Sequence, residues 1–429
     1  MKLKSVLLVC IILSGLFIAS CSKDEDNAQK FSTSTVEQNK ANIQDNGFAF
    51  LGEIKSLESS ASVQNSINAF YTISRGNLLE NNPAFQPTKK VNLVNEILKP
   101  LAISAKLQNF NAKQTLNDLM NDVPNTIADE WNDLIGVYSW NYKTGEWDFS
   151  KTGSEILINY PAYYNDTLNY ASFRVYGFKS VEGTYDWTEA TVMPTAIKAE
   201  LKVFSNVYLT FAFSAAYNNT DGKPSSVSVN LNLKSYSFAL SATNKSNSNG
   251  SGSFSFKNGS TTLMALSIGA TGSWSEDNLA DSEEIGDVLS TANASFQIMN
   301  IKVAGKVDYA KLEADMIALE ESPLSDDSLN IAAQCDIINK YANLSVCYVD
   351  NNTIIAKVIA FPQVYTYSQW NEGTQQYDII KEYEMGVVFK FADDSTIDAY
   401  TYFNQGFQNL AWQAYSYYRY LNETYGYDK

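Results

Sequence analysis

The chain has 429 residues, and its 47 acidic side chains outnumber 31 basic ones, which gives a formal net charge of −16 with no histidine at all. Nucleic-acid binding needs clustered Lys and Arg, so this acidity excludes a nucleic-acid partner. Ser-His-Asp and Cys-His catalysis and His-ligated metals all need an imidazole and are excluded too. Neither GxGxxG nor GxxxxGK[ST] occurs, so we expect no nucleotide cofactor. Because the chain lacks histidine, we also expect no metal site.

The first twenty residues have the pattern of a secretory signal. Lys2 and Lys4 precede an apolar run from Ser5 to Ile18, and Ala19-Ser20 lead into Cys21. The apolar run is shorter than the about 20 residues that a spanning helix needs. The pattern therefore predicts a signal peptide over residues 1–20.

Residues 18–21, Ile-Ala-Ser-Cys, resemble the lipobox of bacterial lipoproteins, and residues 22–26, Ser-Lys-Asp-Glu-Asp, resemble the acidic export tag of Bacteroidota-type lipoproteins. The resemblance implies lipidation of Cys21 and a membrane contact through that lipid. Each buried methylene of an acyl chain adds about 0.8 kcal/mol of membrane affinity, so such chains anchor a protein. It also implies an outer-membrane location facing the cell exterior, with a periplasm-facing anchor as the alternative. Loss of residues 1–20 removes two lysines and lowers the charge to −18.

Two segments follow before the texture of the chain changes at Trp131. Residues 21–46 are polar and predict a flexible tether. Residues 47–130 predict a helical region, with one apolar stripe that includes Phe50 and Ile54 and another, Val91, Val94 and Leu98, that ends near Pro100.

Residues 131–429 predict a large antiparallel β-meander. Val207 to Tyr217 alternate between apolar and small polar side chains, and Asn258-Gly259 is a strong hairpin signal. We expect inserted helices near residues 279–289, 309–320 and 327–341, and later strands near residues 294–307, 344–349, 353–361 and 377–391.

The C-terminal stretch has the clearest helical pattern in the chain. Its apolar residues recur at alternating spacings of three and four, and Asp398 could cap the start. They are Tyr400, Phe403, Phe407, Leu410, Ala414, Tyr417 and Leu421. We therefore predict an α+β fold with a helical N-terminal portion, a large antiparallel meander and a long C-terminal helix packed on the sheet.

Two cysteines, Cys335 and Cys347, lie in the predicted folded part. In an oxidising compartment they could form a disulfide. Cys335 lies on an apolar helical stripe and Cys347 in a strand, so two separately buried thiols are the equal alternative.

Three tripeptides resemble the Asp-(Ser/Thr)-apolar acceptor of O-glycosylation in Bacteroidota-type exported proteins. They begin at Asp166, Asp327 and Asp394. The resemblance implies glycan attachment at Thr167, Ser328 and Ser395.

Other candidate sites have ordinary explanations. Glu382 with Glu384, and Asp393 with Asp394, are carboxylate pairs of the kind that glycoside hydrolysis uses, although a solvated strand or turn explains them as well. An acidic cluster at residues 281–287 lacks the EF-hand spacing. A further set could form an aromatic platform for sugar, but core packing explains it equally: Trp140, Trp147 and Trp187.

These patterns favour a non-enzymatic envelope lipoprotein that binds a glycan or an envelope protein, or that has an architectural role. One alternative is glycan or lipid binding in nutrient capture, and another is a His-free two-carboxylate hydrolase. A glycan binder needs exposed Trp or Tyr rings on one surface, a lipid carrier needs an unfilled apolar cavity, and a hydrolase needs two carboxylates about 5–10 Å apart.

Overall fold

A computed structural model describes residues 30–73, 131–163, 166–185, 189–218, 224–245, 248–274, 278, 287–398, 401–402 and 407–425. Strands dominate over helices in this mixed α+β fold, which has a helix near each end of the described chain, as predicted. The predicted signal, Cys21, the start of the tether, most of the helical region and most of the helix predicted near residues 279–289 lie outside the described residues, while Leu289 belongs to a strand.

The described helices are α1 (Val36–Glu58), α2 (Ala61–Ile73), α3 (Tyr309–Glu321), α4 (Asp327–Tyr341) and α5 (Gln408–Tyr425). The strands are β1 (Gly136–Asn141), β2 (Glu146–Ser150), β3 (Ile156–Tyr160), β4 (Ala171–Tyr185), β5 (Glu189–Val203), β6 (Asn206–Tyr217), β7 (Pro224–Leu233), β8 (Tyr236–Lys245), β9 (Asn249–Asn258), β10 (Thr261–Gly272), β11 (Leu289–Ile298), β12 (Ile301–Asp308), β13 (Ala342–Tyr348), β14 (Ile354–Asn371), β15 (Gln376–Lys390) and β16 (Thr396–Asp398).

The strands form one sheet in the order β16-β15-β14-β13-β12-β11-β10-β9-β8-β7-β6-β5-β4-β3-β1-β2. Most neighbours along the sheet are also neighbours along the chain, which is the meander that the sequence predicts, while β1 and β3 run parallel. The chain divides into two compact units: the described parts of 53–245 and 252–263 form unit 1, and those of 30–52, 248–251 and 264–425 belong to unit 2.

The core of unit 1 comes from the inward faces of its strands. Ile156, Ile158 and Val175 are fully buried. The alternation predicted along β6 is confirmed over its middle, since Leu209, Phe211 and Phe213 are all buried, whereas Val207 is 37% exposed next to a register shift in the pairing with β5. Burying one such side chain stabilises the fold by about 1.5–3 kcal/mol.

The core of unit 2 includes the residues that lead into the C-terminal helix. Phe407 and Tyr402 are buried among side chains of β13, β14 and β15, and Leu410 of α5 packs against this cluster. The start of the C-terminal helix therefore packs on the sheet. The sheet residues of the cluster are Val346, Tyr348, Ile355, Ala356 and Phe389, and Phe391 directly follows β15.

The predicted tether needs correction at its C-terminal end. The Ser32 backbone N–H donates to the Ile354 carbonyl at 2.7 Å, and α1 already begins at Val36. Val36 and Ile43 pack against the unit 2 core, and Asn39 is only 3% exposed. This polar segment is folded because its few apolar residues and its amides find partners on the sheet, which no local pattern shows.

The strand predicted over residues 294–307 is two strands, β11 and β12, joined by a turn at Met299-Asn300. Met299 has φ 50°, a conformation that disfavours ordinary side chains. The Asn300 N–H donates to the Asn46 side chain at 2.9 Å. A contact distant in sequence therefore supports a turn that has no glycine.

No helix among the described residues is both long enough and apolar enough to cross a membrane.

Candidate interaction surface

The ends of β14 and β15 form an exposed two-stranded ribbon, which we define as residues 363–383. β13 pairs with β14 only as far as Val358, and β16 pairs with β15 only from Val388 onward. The side chain of Asn339 in α4 covers the edge of β14 at Ala360 with two hydrogen bonds of 2.8 and 2.9 Å. Beyond that point, the strand pairs in the described structure join the exposed ribbon only to itself.

Large apolar side chains on the exposed ribbon face solvent instead of a core. Tyr377 is 69% exposed and Ile379 is 71% exposed, and the others are about half exposed. Isolated two-stranded hairpins are only marginally stable in water, and exposed apolar patches mark interaction sites. The other exposed members are Val364, Tyr365, Tyr367 and Trp370.

The turn of the exposed ribbon is built around one asparagine. The Asn371 side-chain oxygen accepts hydrogen bonds from the N–H groups of Gly373 and Thr374 at 3.0 and 3.3 Å. Its side-chain nitrogen donates to the Asp378 carboxylate at 2.6 Å, and its carbonyl accepts from the Gln375 N–H at 2.8 Å. This Asx-type turn fixes the register in which Trp370 and Tyr377 face each other.

The two faces of the exposed ribbon differ in charge. Successive side chains of a strand point to opposite faces, so the register assigns each residue to one of them. The aromatic face contains Lys381 and no carboxylate. Its residues are Val364, Thr366, Ser368, Trp370, Tyr377, Ile379, Lys381 and Tyr383. The acidic face consists of Gln363, Tyr365, Tyr367, Gln369, Asn371, Gln376, Asp378, Ile380 and Glu382, and Glu384 continues it.

The β1–β2 hairpin of unit 1 repeats the residue pattern and the hydrogen bonds of this turn. Trp140-Asn141 and Trp147-Asp148 correspond to Trp370-Asn371 and Tyr377-Asp378 at the same spacing. The Asn141 side chain donates to Asp148 at 3.0 Å and accepts from Lys143 N–H at 3.0 Å. Thr144 with Thr374, and Lys151 with Lys381, extend the match.

This short repeat was not predicted from the sequence, although the recurrence of Trp-Asn, Thr, Asp and Lys at fixed spacing could have revealed it. In both hairpins the cross-strand rings meet edge to face. The ring centroids are 5.3 Å apart for Trp140 and Trp147, and 5.1 Å apart for Trp370 and Tyr377.

The two hairpins differ in how far their aromatic faces are buried. In unit 1, Trp147 is 2% exposed and Tyr138, on the same face, is 1% exposed. The corresponding face in unit 2 holds Trp370, Tyr377 and Ile379 in the open. The aromatic face is therefore a packing surface in one hairpin and an uncovered one in the other.

A second exposed aromatic surface lies on α5. Trp412, Tyr415 and Tyr418 follow one another at i, i+3 spacing and are 67%, 60% and 50% exposed. They lie away from the Phe407 and Leu410 side that packs on the core. The helical pattern predicted in this region identified the packed side but not this second aromatic side.

The proposed glycosylation acceptors lie in a loop, a helix start and a turn. Thr167 is exposed between β3 and β4, and Ser395 is exposed between β15 and β16. Ser328, in the first turn of α4, is half-buried, and its hydroxyl donates to the capping residue Asp326.

Both cysteines of the folded part are free and buried, so the structure has the two separate thiols rather than a disulfide. Burial raises the pKa of the Cys335 thiol to about 11. Because the thiolate is the reactive form, Cys335 is a poor nucleophile and metal ligand. The Cys347 sulfur lies 3.3 Å from the Ser345 hydroxyl.

Of the two carboxylate pairs considered from the sequence, one has structural partners and the other lies on one face of a strand. The Asp393 carboxylate accepts from the Ser395 hydroxyl and N–H, which lowers its pKa, and Asp394 pairs with Lys390 at 2.8 Å. Glu382 and Glu384 share one face of β15, as predicted. The described part of the chain has no group of three potential metal ligands, and most of the acidic cluster at residues 281–287 lies outside it.

The two early tryptophans that the structure describes do not form an exposed aromatic platform. Trp147 is buried, Trp140 is half-buried, and Trp187 lies outside the described residues. Core packing accounts for the two described rings.

Comparison with known proteins finds no match: no protein-family model matches the chain, and neither does any curated protein or solved structure.

Proposed function

We propose that this chain is an exported lipoprotein, anchored in the outer membrane through Cys21, whose folded part binds a partner rather than catalysing a reaction. The exposed ribbon is the observation that carries the binding role. Trp and Tyr are the side chains that dominate interface hot spots, and here they extend from the sheet on two strands with solvent on both faces.

The exclusions from sequence support a binding role. A chain without histidine lacks the usual general base. Cys335, which a nucleophilic mechanism would need exposed and ionised, is buried and has a raised pKa. The Asp393 and Asp394 carboxylates hold a turn together. These features leave recognition as the better explanation of the exposed aromatic side chains.

The anchor is tested by expressing the full chain and its Cys21→Ser variant in a bacterium that processes lipoproteins, with a labelled fatty acid. We expect label and membrane association for the natural chain and neither for the variant. Equal labelling of both chains would contradict lipidation of Cys21. Protease treatment of intact cells then tests surface display, since complete protection of the folded part would place it inside.

Glycan binding is the second candidate, and the acidic face of the exposed ribbon supports it. Tyr365 and Tyr367 are 45% and 46% exposed on one face, beside the amide of Gln369 and the carboxylate of Glu382. Rings flanked by hydrogen-bonding groups suit the apolar and polar sides of a sugar. A glycan array should show hits that Tyr365→Ala together with Tyr367→Ala abolishes. An array without hits would count against this candidate.

A further inference from the structure

The aromatic face of the exposed ribbon has features of a surface that pairs with itself. In a chain with net charge −16, this face has one charged residue, Lys381, and it is a cation. The carboxylates of Asp378, Glu382 and Glu384 all point to the opposite face. A second copy of the chain could therefore approach the aromatic face without placing carboxylates against each other there.

The β1–β2 hairpin of unit 1 shows what this kind of face packs against. The equivalent pair there, Trp140 and Trp147, lies on a face that the folded chain itself buries, down to 2% exposure for Trp147. The same hairpin motif therefore occurs a second time in the chain, and there the rest of the protein covers its aromatic rings. This favours a protein occupant over a sugar on the aromatic face.

We propose that the exposed ribbons of two copies pack with their aromatic faces together, related by a two-fold axis at the level of Ser368 and Ile379. Such an axis reverses the strand direction but keeps β15 opposite β15. Ile379 then meets Ile379 of the second copy, and Lys381 faces Tyr377 of the second copy, once on each side of the axis.

The facing pairs are chemically matched. A Lys ammonium within about 6 Å of a Tyr ring is attracted to its face. The chain already uses this contact internally, with Lys234 4.4 Å from the Tyr208 ring centroid and Lys340 4.6 Å from that of Tyr341. Because the axis generates each off-axis contact twice, one favourable register contributes two cation–π pairs and one central apolar contact.

The available area suits a modest homodimer. Aromatic side chains bury about 150–250 Å² each when fully covered. The exposed fractions of Trp370, Tyr377, Ile379 and Val364, together with the Lys381 stem, offer about 500 Å² per copy. The total of about 1,000 Å² is the lower limit for a specific interface. Anchoring in one membrane would raise the local concentration of copies and favour the pairing.

Cross-linking of the full chain in the cells that express it tests the proposal, whether or not the chain is anchored in a membrane. Facing sheets lie about 10 Å apart, which is too far for a direct disulfide, so a short bismaleimide is the appropriate probe. Ser368→Cys places a thiol beside the axis, and we expect a product of twice the chain mass. Gln369→Cys is the matched control, because this neighbouring residue points to the acidic face. The natural chain controls for its own buried thiols.

Two further variants test the facing pairs. Ile379→Asp, in the Ser368→Cys background, should lower the cross-linked fraction about tenfold, since it places two carboxylates at the axis. Lys381→Glu should do the same. The exchange of both residues, Tyr377→Lys with Lys381→Tyr, recreates the pair across the axis and should restore cross-linking.

Absence of the double-mass product from Ser368→Cys would overturn the proposal. A product of any other mass would also overturn it, because it would identify a different protein as the occupant. Equal cross-linking through Gln369→Cys would show collision without a defined face and would count against it equally. The proposal does not depend on glycan binding or on catalysis, so its failure is distinguishable from failure of either.

Discussion

The docking of α1 on the sheet of unit 2 depends on a buried asparagine, and its replacement gives the sharpest test of the fold. Asn39 is 3% exposed, and its side-chain oxygen accepts from the Tyr348 hydroxyl at 2.8 Å. Its side-chain nitrogen donates to the Ser34 carbonyl at 3.2 Å. Asn42 donates to the same Tyr348 hydroxyl at 2.8 Å. The network links the first turns of α1 to the end of β13.

We expect Asn39→Leu to lower the free energy of unfolding by about 1–3 kcal/mol, because it leaves buried hydrogen-bonding groups without a partner. Tyr348→Phe should cost about 1 kcal/mol. In the double variant the two losses should not add: the coupling between Asn39 and Tyr348 should be about 1 kcal/mol, as expected for groups that share one hydrogen bond.

Urea unfolding of the natural chain, both single variants and the double variant provides the four free energies of this cycle. Glu37→Gln, an exposed change in the same turn, is the control and should have little effect. If Asn39→Leu changed stability no more than this control, residues 36–46 would be a tether after all. Strict additivity of the two losses would refute the shared hydrogen bond.

The remaining predictions concern thiols and glycines. Neither Cys335 nor Cys347 should react with a maleimide until the chain unfolds, and rapid labelling of the folded chain would contradict their burial. Because the folded pKa of Cys335 is raised from 9.0 to about 11, its contribution to stability is present below pH 9 and is lost as pH rises from 9 to 11, which urea unfolding at several pH values would detect. Gly272→Ala should destabilise the fold by about 1–3 kcal/mol, because the added Cβ would clash with the Val288 carbonyl oxygen. Gly52→Ala, in open space on α1, should instead stabilise it by about 0.5–1 kcal/mol. Equal effects of the two changes in urea unfolding would refute this contrast.

Side-chain periodicity predicted the strands whose two faces differ in burial. The alternation in β6 identified Leu209, Phe211 and Phe213 as buried, and the Asn258-Gly259 signal located a hairpin between β9 and β10. These predictions succeeded because each element buries one face, and burial leaves a repeat of two in the sequence. They fixed the α+β class but not the complete list of turns.

Turns with ordinary residues at positive φ were beyond the reach of sequence patterns. Phe204, Lys234 and Met299 all adopt φ between 50° and 56°, where Gly or Asn would be expected. At Met299 the turn also depends on Asn46, which lies far away along the chain. Such turns form because the surrounding sheet and helix compensate for local strain.

For the candidate surface, too, the sequence determined some features and the tertiary structure decided others. Composition and the N-terminal pattern alone led to the exclusion of histidine chemistry and to the prediction of lipid on Cys21, because both depend on which residues are present rather than on how they fold. Only the tertiary structure decided which of two similar hairpins is covered. Trp147 and Tyr377 occupy equivalent positions, yet one is 2% and the other 69% exposed, since burial depends on what packs against a strand and not on the strand's own sequence.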